Sequence, residues 1–294
     1  MPDAAHVEDF FYDSADGLRL HLRLHGEKQP DAAPIVCLPG LTRNHRDFSA
    51  LAARLAQDSY RPRQVVCFDY RGRGLSQYDA DWKKYEIGVE TSDIISGLDT
   101  LGITKAHFIG TSRGGLIAHV LAVLRPEMLQ SVVFNDVGPV LEPAGLALIK
   151  SYLNAPTVRL QTFKQAADVQ KALHREAFGA LDDNDWLDVA HALYREINGE
   201  IRPDFDPALL NGLAAFDLSQ PVPTLWPQFE AMNAIPLMVI RGENSLLLSP
   251  ETVSEMKKHH PALEIVVARG QGHAPILHKF GIDRDIADFF RRSD

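Results

Sequence analysis

Six short, unbroken apolar runs limit what this chain can become: Ile35-Val-Cys-Leu38, Val65-Val-Cys-Phe68, His107-Phe-Ile109, Val132-Val-Phe134, Leu237-Met-Val-Ile240 and Ile265-Val-Val-Ala268. Each is too short for a helix and lacks the alternation of a strand with one wet face. Such runs fit strands buried on both faces of a parallel sheet. Helical stretches, for example His45–Gln57 and Thr91–Leu101, lie between several of them. Strand and helix alternating in this way predict a doubly wound α/β sheet, with ligands beyond the carboxyl ends of the strands.

Two more strands precede the runs. The first covers about Asp9 to Ser14, and Asp16-Gly17 forms a hairpin-type turn. Leu18, Leu20, Leu22 and Leu24 then alternate with Arg19, His21, Arg23 and His25. Period two with one apolar face predicts an antiparallel edge hairpin whose polar face is wet. His21 and His25 fall on that face, where solvation explains them better than a metal does. The sum is a mostly parallel, eight-stranded sheet.

The alternation breaks between Asp136 and about Pro236. Strand signals vanish there, and helical stretches follow at Gly145–Leu153, Thr162–Phe178 and Asp185–Ile197. Trp186, Val189, Ala190 and Leu193 recur at helical spacing and read as a packing stripe. Gly138-Pro139 and the Pro-rich Pro221–Pro227 flank the block. The expected division is a core of residues 1–136 and 232–294, with a helical cap inserted at 137–231.

Net charge of −9, from 39 acidic and 30 basic residues with no long run of either sign, gives no basic face for nucleic acid. The N-terminal residues lack a secretory signal, and no apolar stretch approaches the ~20 residues of a membrane span. Cys37 and Cys67 sit inside strand-like runs, as buried thiols rather than a disulfide. A cytoplasmic protein with a small-molecule partner is expected.

The chemistry centres on Gly110-Thr-Ser112-Arg-Gly114, between the run ending at Ile109 and an Ala/Leu/Ile/Val-rich helix from Arg113 to about Leu124. A strand-to-helix turn this sharp strains its central residue and needs neighbours without bulk. It leaves the Ser112 hydroxyl proud of the sheet edge, able to attack a carbonyl. A serine nucleophile needs a base. Of the 12 histidines, His273 in Gly270-Gln-Gly272-His273-Ala-Pro275 stands out, in a loop after the last strand, with Pro275 expected to start the final helix. Backbone donors for an oxyanion are expected from the amides of Arg113 and of Leu41, which follows the Pro39-Gly40 turn. The Arg43 and Arg113 side chains fit either an acidic substrate group or structural roles.

Taken together, Leu38-Pro-Gly-Leu41, Asp69-Tyr-Arg71-Gly72-Arg-Gly74-Leu-Ser76, the Gly110–Gly114 turn, Arg241-Gly242-Glu243 and Gly272-His273 resemble the α/β-hydrolase superfamily over nearly the whole chain, in the family's order. The resemblance implies a serine hydrolase with a cap over an acyl pocket, needing no metal or organic cofactor. It also exposes a departure. The family's acid usually lies a few residues into the loop after the penultimate strand, and Leu246 occupies that place here. Asp136, at the end of the Val132–Phe134 strand, is the expected replacement, where some relatives resembling haloalkane dehalogenases keep their acid. Glu243 is the alternative acid. Ser112 argues against the dehalogenases and epoxide hydrolases, which use an Asp nucleophile. Asp69 and Arg71–Gly74 read as a structural turn.

The expected function is hydrolysis of a carboxylic ester of a small acyl substrate through an acyl-enzyme. C–C bond, lactone or thioester hydrolysis on the same residues stays open. So does a hydrolase-fold binding or sensing protein with little turnover.

Overall fold

The computed structural model describes residues 6–154 and 158–294. Residues 1–5 and 155–157, within the expected core and cap segments, lie outside the described residues. Eight strands form one sheet: β1 (Val7–Asp13), β2 (Arg19–His25), β3 (Ile35–Leu38), β4 (Val65–Asp69), β5 (Ala106–Thr111) and β6 (Leu129–Asn135) come first. A two-stranded hairpin, β7 (Tyr194–Ile197) and β8 (Glu200–Pro203), stands apart before β9 (Leu237–Gly242) and β10 (Glu264–Ala268) complete the large sheet. Its order is β1-β2-β4-β3-β5-β6-β9-β10. The β1–β2 and β2–β4 pairs are antiparallel and every other pair is parallel.

The unbroken apolar runs are explained by the two faces they serve. Val36, Leu38, Val66, Phe68, Phe108 and Phe134 point into one core, while their neighbours Ile35, Cys37, Val65, Cys67, Ile109 and Val133 point into the other. Helices α1 (Ser49–Ala56), α2 (Ile87–Thr100), α3 (Arg113–Leu124) and, near the C-terminus, α9 (Pro250–His259) and α10 (Ile282–Arg292) cover these faces. Ile94, Ile117 and Met256 seal the first, and Leu51, Ile286 and Phe290 seal the second. Burial of a large apolar side chain contributes roughly 1.5–3 kcal/mol, so the alternation makes the sheet the main source of stability.

Expectations for the sheet edges and the last helix are corrected. The Ile265–Ala268 run is not buried on both faces: β10 is the edge strand, and Ile265 and Val267 are exposed. The polar face of β2 is only partly wet: Arg19 is exposed and Arg23 half-buried, while its two histidines are covered. His21 is fully buried between Asp9 and Asp69, and His25 is buried too. The last helix starts at Ile282 rather than Pro275, after Phe280 and Gly281 take positive φ.

Between β6 and β9 lie α4 (Pro143–Leu153), α5 (Phe163–His174), α6 (Asp183–Leu193), the β7–β8 hairpin, α7 (Leu210–Ala215) and α8 (Trp226–Glu230). The helix expected at Asp185–Ile197 stops at Leu193, and its end is strand β7. Asn198-Gly199, both at positive φ, forms the tight turn that closes a hairpin. Asp182 and Asp185 make a reciprocal capping box at the start of α6. Leu160, Ala166, Phe178, Trp186, Ala190 and Ile201 form a small core separate from the two around the sheet. The segment's neck is tied, since the Leu225 amide donates to the Pro139 carbonyl at 2.7 Å.

Candidate active site

Strand β5 ends at Thr111 and α3 begins at Arg113, so Ser112 alone makes the turn, at φ 51°. A non-glycine residue in this left-handed region is strained, and surrounding contacts must hold it there. The Ser112 amide is held by the Asn135 carbonyl at 3.1 Å. The flanking glycines have no room for a side chain: a Cβ on Gly114 would lie 2.1 Å from the Leu38 carbonyl oxygen, and one on Gly110 would lie 2.6 Å from the Gly115 nitrogen. The motif's spacing is therefore a packing requirement between β3, β5 and α3.

His273, in the loop after β10, meets Ser112 Oγ with Nε2 at 3.0 Å and Asp136 Oδ2 with Nδ1 at 2.8 Å. A ring placed this way can take the hydroxyl proton on one nitrogen while a carboxylate orients the other. Asp136 directly follows β6, is fully buried and sits at φ 54°. Its Oδ1 accepts from the Gly242 amide at 2.8 Å, and its Oδ2 also accepts from Ser245 Oγ at 2.6 Å. The buried carboxylate is thus supplied with donors from three segments. Ser245 carries no motif that marks it in the sequence. Its one available signal is its place next to Leu246.

Glu243 stands elsewhere, its carboxylate accepting from the Gly270 amide at 2.7 Å, while both His273 nitrogens are occupied by Asp136 and Ser112. Leu246 is 55% exposed. Its loop serves the segment after β6: the Glu142 amide donates to the Leu247 carbonyl at 2.9 Å, and Gly145 of α4 packs on the backbone of residues 246–247.

Two segments meet at Ser112, the loop after β3 and the first turn of α3. Gly40 lies against Ser112, since a Cβ on it would fall 3.8 Å from the Ser112 Cβ. Arg113 is the first residue of α3, where an amide has no intrahelical acceptor. No acceptor binds the Leu41 amide among the described residues. The loop carrying Leu41 is braced from behind by Tyr70 Oη on the Pro39 carbonyl at 3.0 Å, and by Arg73 Nε on the Leu41 carbonyl at 2.9 Å.

The loop's far end rests on Asp69, which accepts from the His45 amide at 2.7 Å, the Leu75 amide at 2.9 Å and the rings of His21 and His45. Burial pushes the Asp69 carboxyl up, and the hydrogen bonds from His21 and His45 outweigh it, holding the group below the usual carboxylate range. Among the described residues, His21, His45 and Asp69 are the grouping with a donor set for a metal ion, their ligand atoms within 4.8 Å of one another. Those atoms are already engaged with each other, and the arrangement braces the loop.

A cavity of about 1210 Å³ opens beside the site. Thr42, Arg43 and His273 line it from the sheet side, and Tyr152, Leu173 and Trp186 from the segment after β6. Ser112 is not itself in the wall and meets the cavity through its neighbours Thr111 and His273. Arg43 packs over Gly40, within 3.2 Å of where a Cβ would be, and its guanidinium reaches Asp47 at 2.8 Å. Burial, with the Arg43 cation nearby, pushes the His174 imidazole in the same wall down to about 4.

The α/β hydrolase fold family model matches residues 33–280. A 3-hydroxybutyrate-oligomer hydrolase of Cupriavidus necator is 35% identical over 268 residues, covering 87% of this chain and 88% of that protein. A 2-(acetamidomethylene)succinate hydrolase of Mesorhizobium japonicum is 27% identical over 234 residues, covering 80% of this chain and 79% of that protein. The crystal structure of an α/β hydrolase from Novosphingobium aromaticivorans superposes with a TM-score of 0.90 at 35% identity, covering 98% of this chain and 99% of that one. No helix among the described residues is long and apolar enough to cross a membrane.

Proposed function

The chain belongs to the α/β-hydrolase family, and on that premise we propose that it is a serine hydrolase cleaving carboxylic esters through an acyl-enzyme. The observation that carries this reading is the continuous hydrogen-bonded chain from Ser112 through His273 to Asp136, at 3.0 and 2.8 Å. Ser112 Oγ attacks the ester carbonyl as His273 Nε2 takes its proton. Asp136 holds the resulting imidazolium. The Leu41 and Arg113 amides receive the negative charge on the carbonyl oxygen. The tetrahedral intermediate collapses, the C–O bond breaks, and His273 returns its proton to the departing alkoxide. Water, deprotonated by His273, then releases the acid and restores Ser112. The chain's own residues supply each step.

Residues 137–231 act as the cap over the acyl pocket, on a core of 1–136 and 232–294. The substrate we favour is a short ester of a hydroxy acid with a free carboxylate. Two facts support it: the name of the 35% identical relative, and the position of Arg43 beside Gly40 in the cavity wall. A cytoplasmic setting fits the free, buried thiols Cys37 and Cys67. A carboxylate that reaches His273 from Asp136, despite Leu246 at the family's usual acid position, supports the enzyme over a hydrolase-fold binding protein.

The test is burst and steady-state hydrolysis of a short p-nitrophenyl ester by the wild type and Ser112→Ala. A burst stoichiometric with enzyme, lost in Ser112→Ala, is expected. Equal turnover by the two proteins ends the proposal.

A further inference from the structure

The two backbone donors assigned to the oxyanion lie on segments with no sequence connection, the loop after β3 and the first turn of α3. Something must fix their separation, because such donors work only when held ~3 Å from one point. Glu90 of α2 occupies the right place. It is fully buried, with Oε1 accepting from Arg73 Nη1 at 2.7 Å and Oε2 from Arg113 Nε at 2.5 Å. Arg73, also fully buried, passes the connection on to the Leu41 carbonyl through Nε at 2.9 Å. Arg113 is anchored again by Nη2 on the Tyr85 carbonyl at 3.0 Å. One carboxylate thus joins, through two guanidiniums, the residues that carry both amides.

The arrangement is a costly way to fill space. Desolvating two guanidiniums and a carboxylate is a large penalty, and well-packed apolar residues of similar volume are often at least as stable. Arg73 keeps one nitrogen, Nη2, buried without a partner. Such a group is weak evidence for a purely stabilising role.

We infer that Glu90 is a positioning residue for the oxyanion hole, setting the distance between the Leu41 and Arg113 amides through Arg73 and Arg113. This rests on the acyl-transfer reading above. Charge and geometry make opposite predictions here. Removing the carboxylate charge leaves two cations near a developing anion, which by charge alone favours the transition state. Releasing one guanidinium loosens the hole and disfavours it.

The experiment compares wild type, Glu90→Gln and Arg113→Met on a p-nitrophenyl ester, alongside inhibition by a trifluoromethyl ketone that forms a tetrahedral adduct with the serine. Gln keeps one acceptor oxygen and turns an NH2 toward the other guanidinium, so one arm lets go. We expect kcat to fall by about 10- to 100-fold in Glu90→Gln, less than removal of a whole donor costs. KM should stay within about threefold, and ketone affinity should fall in step with kcat. Arg113→Met releases one arm and leaves the Glu90–Arg73 pair, so it decides the matter if Glu90→Gln does not fold. The same parallel loss, at about three- to tenfold, is expected there. A folded Glu90→Gln with kcat within twofold of wild type overturns the inference, as does a kcat loss with unchanged ketone affinity. Turnover that survives Ser112→Ala in the same assay instead removes the acyl-transfer reading beneath it.

Discussion

Ser245 Oγ donates a 2.6 Å hydrogen bond to the same Asp136 oxygen that meets His273 Nδ1 at 2.8 Å. The hydroxyl oxygen accepts from the Leu247 and Leu248 amides at 3.1 and 3.2 Å, so its proton has one direction left to point. The loop after β9, the usual place for the family's acid, thus supplies a hydroxyl that steadies the carboxylate directly following β6. Asp136→Asn is expected to lower kcat about 10⁴-fold by leaving the imidazole in the wrong tautomer. Ser245→Ala should cost about tenfold, and Leu246→Asp less than twofold. Because Leu246 is 55% exposed and its backbone is packed under α4, Asp136→Asn/Leu246→Asp should recover nothing. Steady-state kinetics on one ester checks all four.

Gly114→Ala should destabilise the protein by at least about 3 kcal/mol, since its Cβ would meet backbone that no rotamer change can move. Gly212→Ala, in a place with nothing within 4 Å, is the control. Urea unfolding of both variants measures the difference.

Stability should fall as pH drops below about 6.5. His119 on α3 is fully buried, and burial pushes its imidazole down from 6.5 to about 4, the hydrogen bond to the Gly115 carbonyl opposing only in part. Burial likewise pushes His107 down to about 4. The unfolded chain binds more protons between these values, so each group's contribution is complete above pH 6.5 and is lost on the way to pH 4. The slope is about 1.4 kcal/mol per pH unit per group. His119→Leu should flatten the fall between pH 6 and 5, measured by urea midpoints at each pH.

Arg43→Met should lower kcat/KM about tenfold or more for a 3-hydroxybutyrate dimer with its free carboxylate, and less than twofold for the same dimer capped as the primary amide. A hydrogen bond to a charged group is worth ~1.5–3 kcal/mol, which sets that scale. Equal losses on both substrates would assign Arg43 to holding Gly40 and not the acid.

The elements visible in the sequence were those whose residues serve local geometry. The apolar runs of β3, β4, β5, β6 and β9 and the Gly110–Gly114 turn have patterns dictated by neighbours in the chain. The β7 strand was hidden because Tyr194–Ile197 prolongs the helical spacing of Trp186, Ala190 and Leu193, and only the Asn198-Gly199 pair signals the reversal. Glu90, Arg73, Ser245 and the burial of His21 were illegible for a different reason. Charged and polar residues read as solvent-facing unless a partner is known, and these partners lie on other segments of the chain. Asp136 was reached through the family resemblance rather than through a local pattern, and its 2.8 Å bond to His273 joins the end of β6 to the loop after β10.

The bond from the Leu225 amide to the Pro139 carbonyl makes a closed neck three residues beyond Asp136. Ser112, Asp136, Ser245 and His273 all lie on the sheet side of that neck. A chimaera joined at Pro139 and Leu225 therefore exchanges the Tyr152, Leu173 and Trp186 side of the chamber and leaves these four side chains in place. On the acyl-transfer reading, the half of the chamber lying beyond the neck can be retooled while the proton-handling side chains and Arg43 are kept.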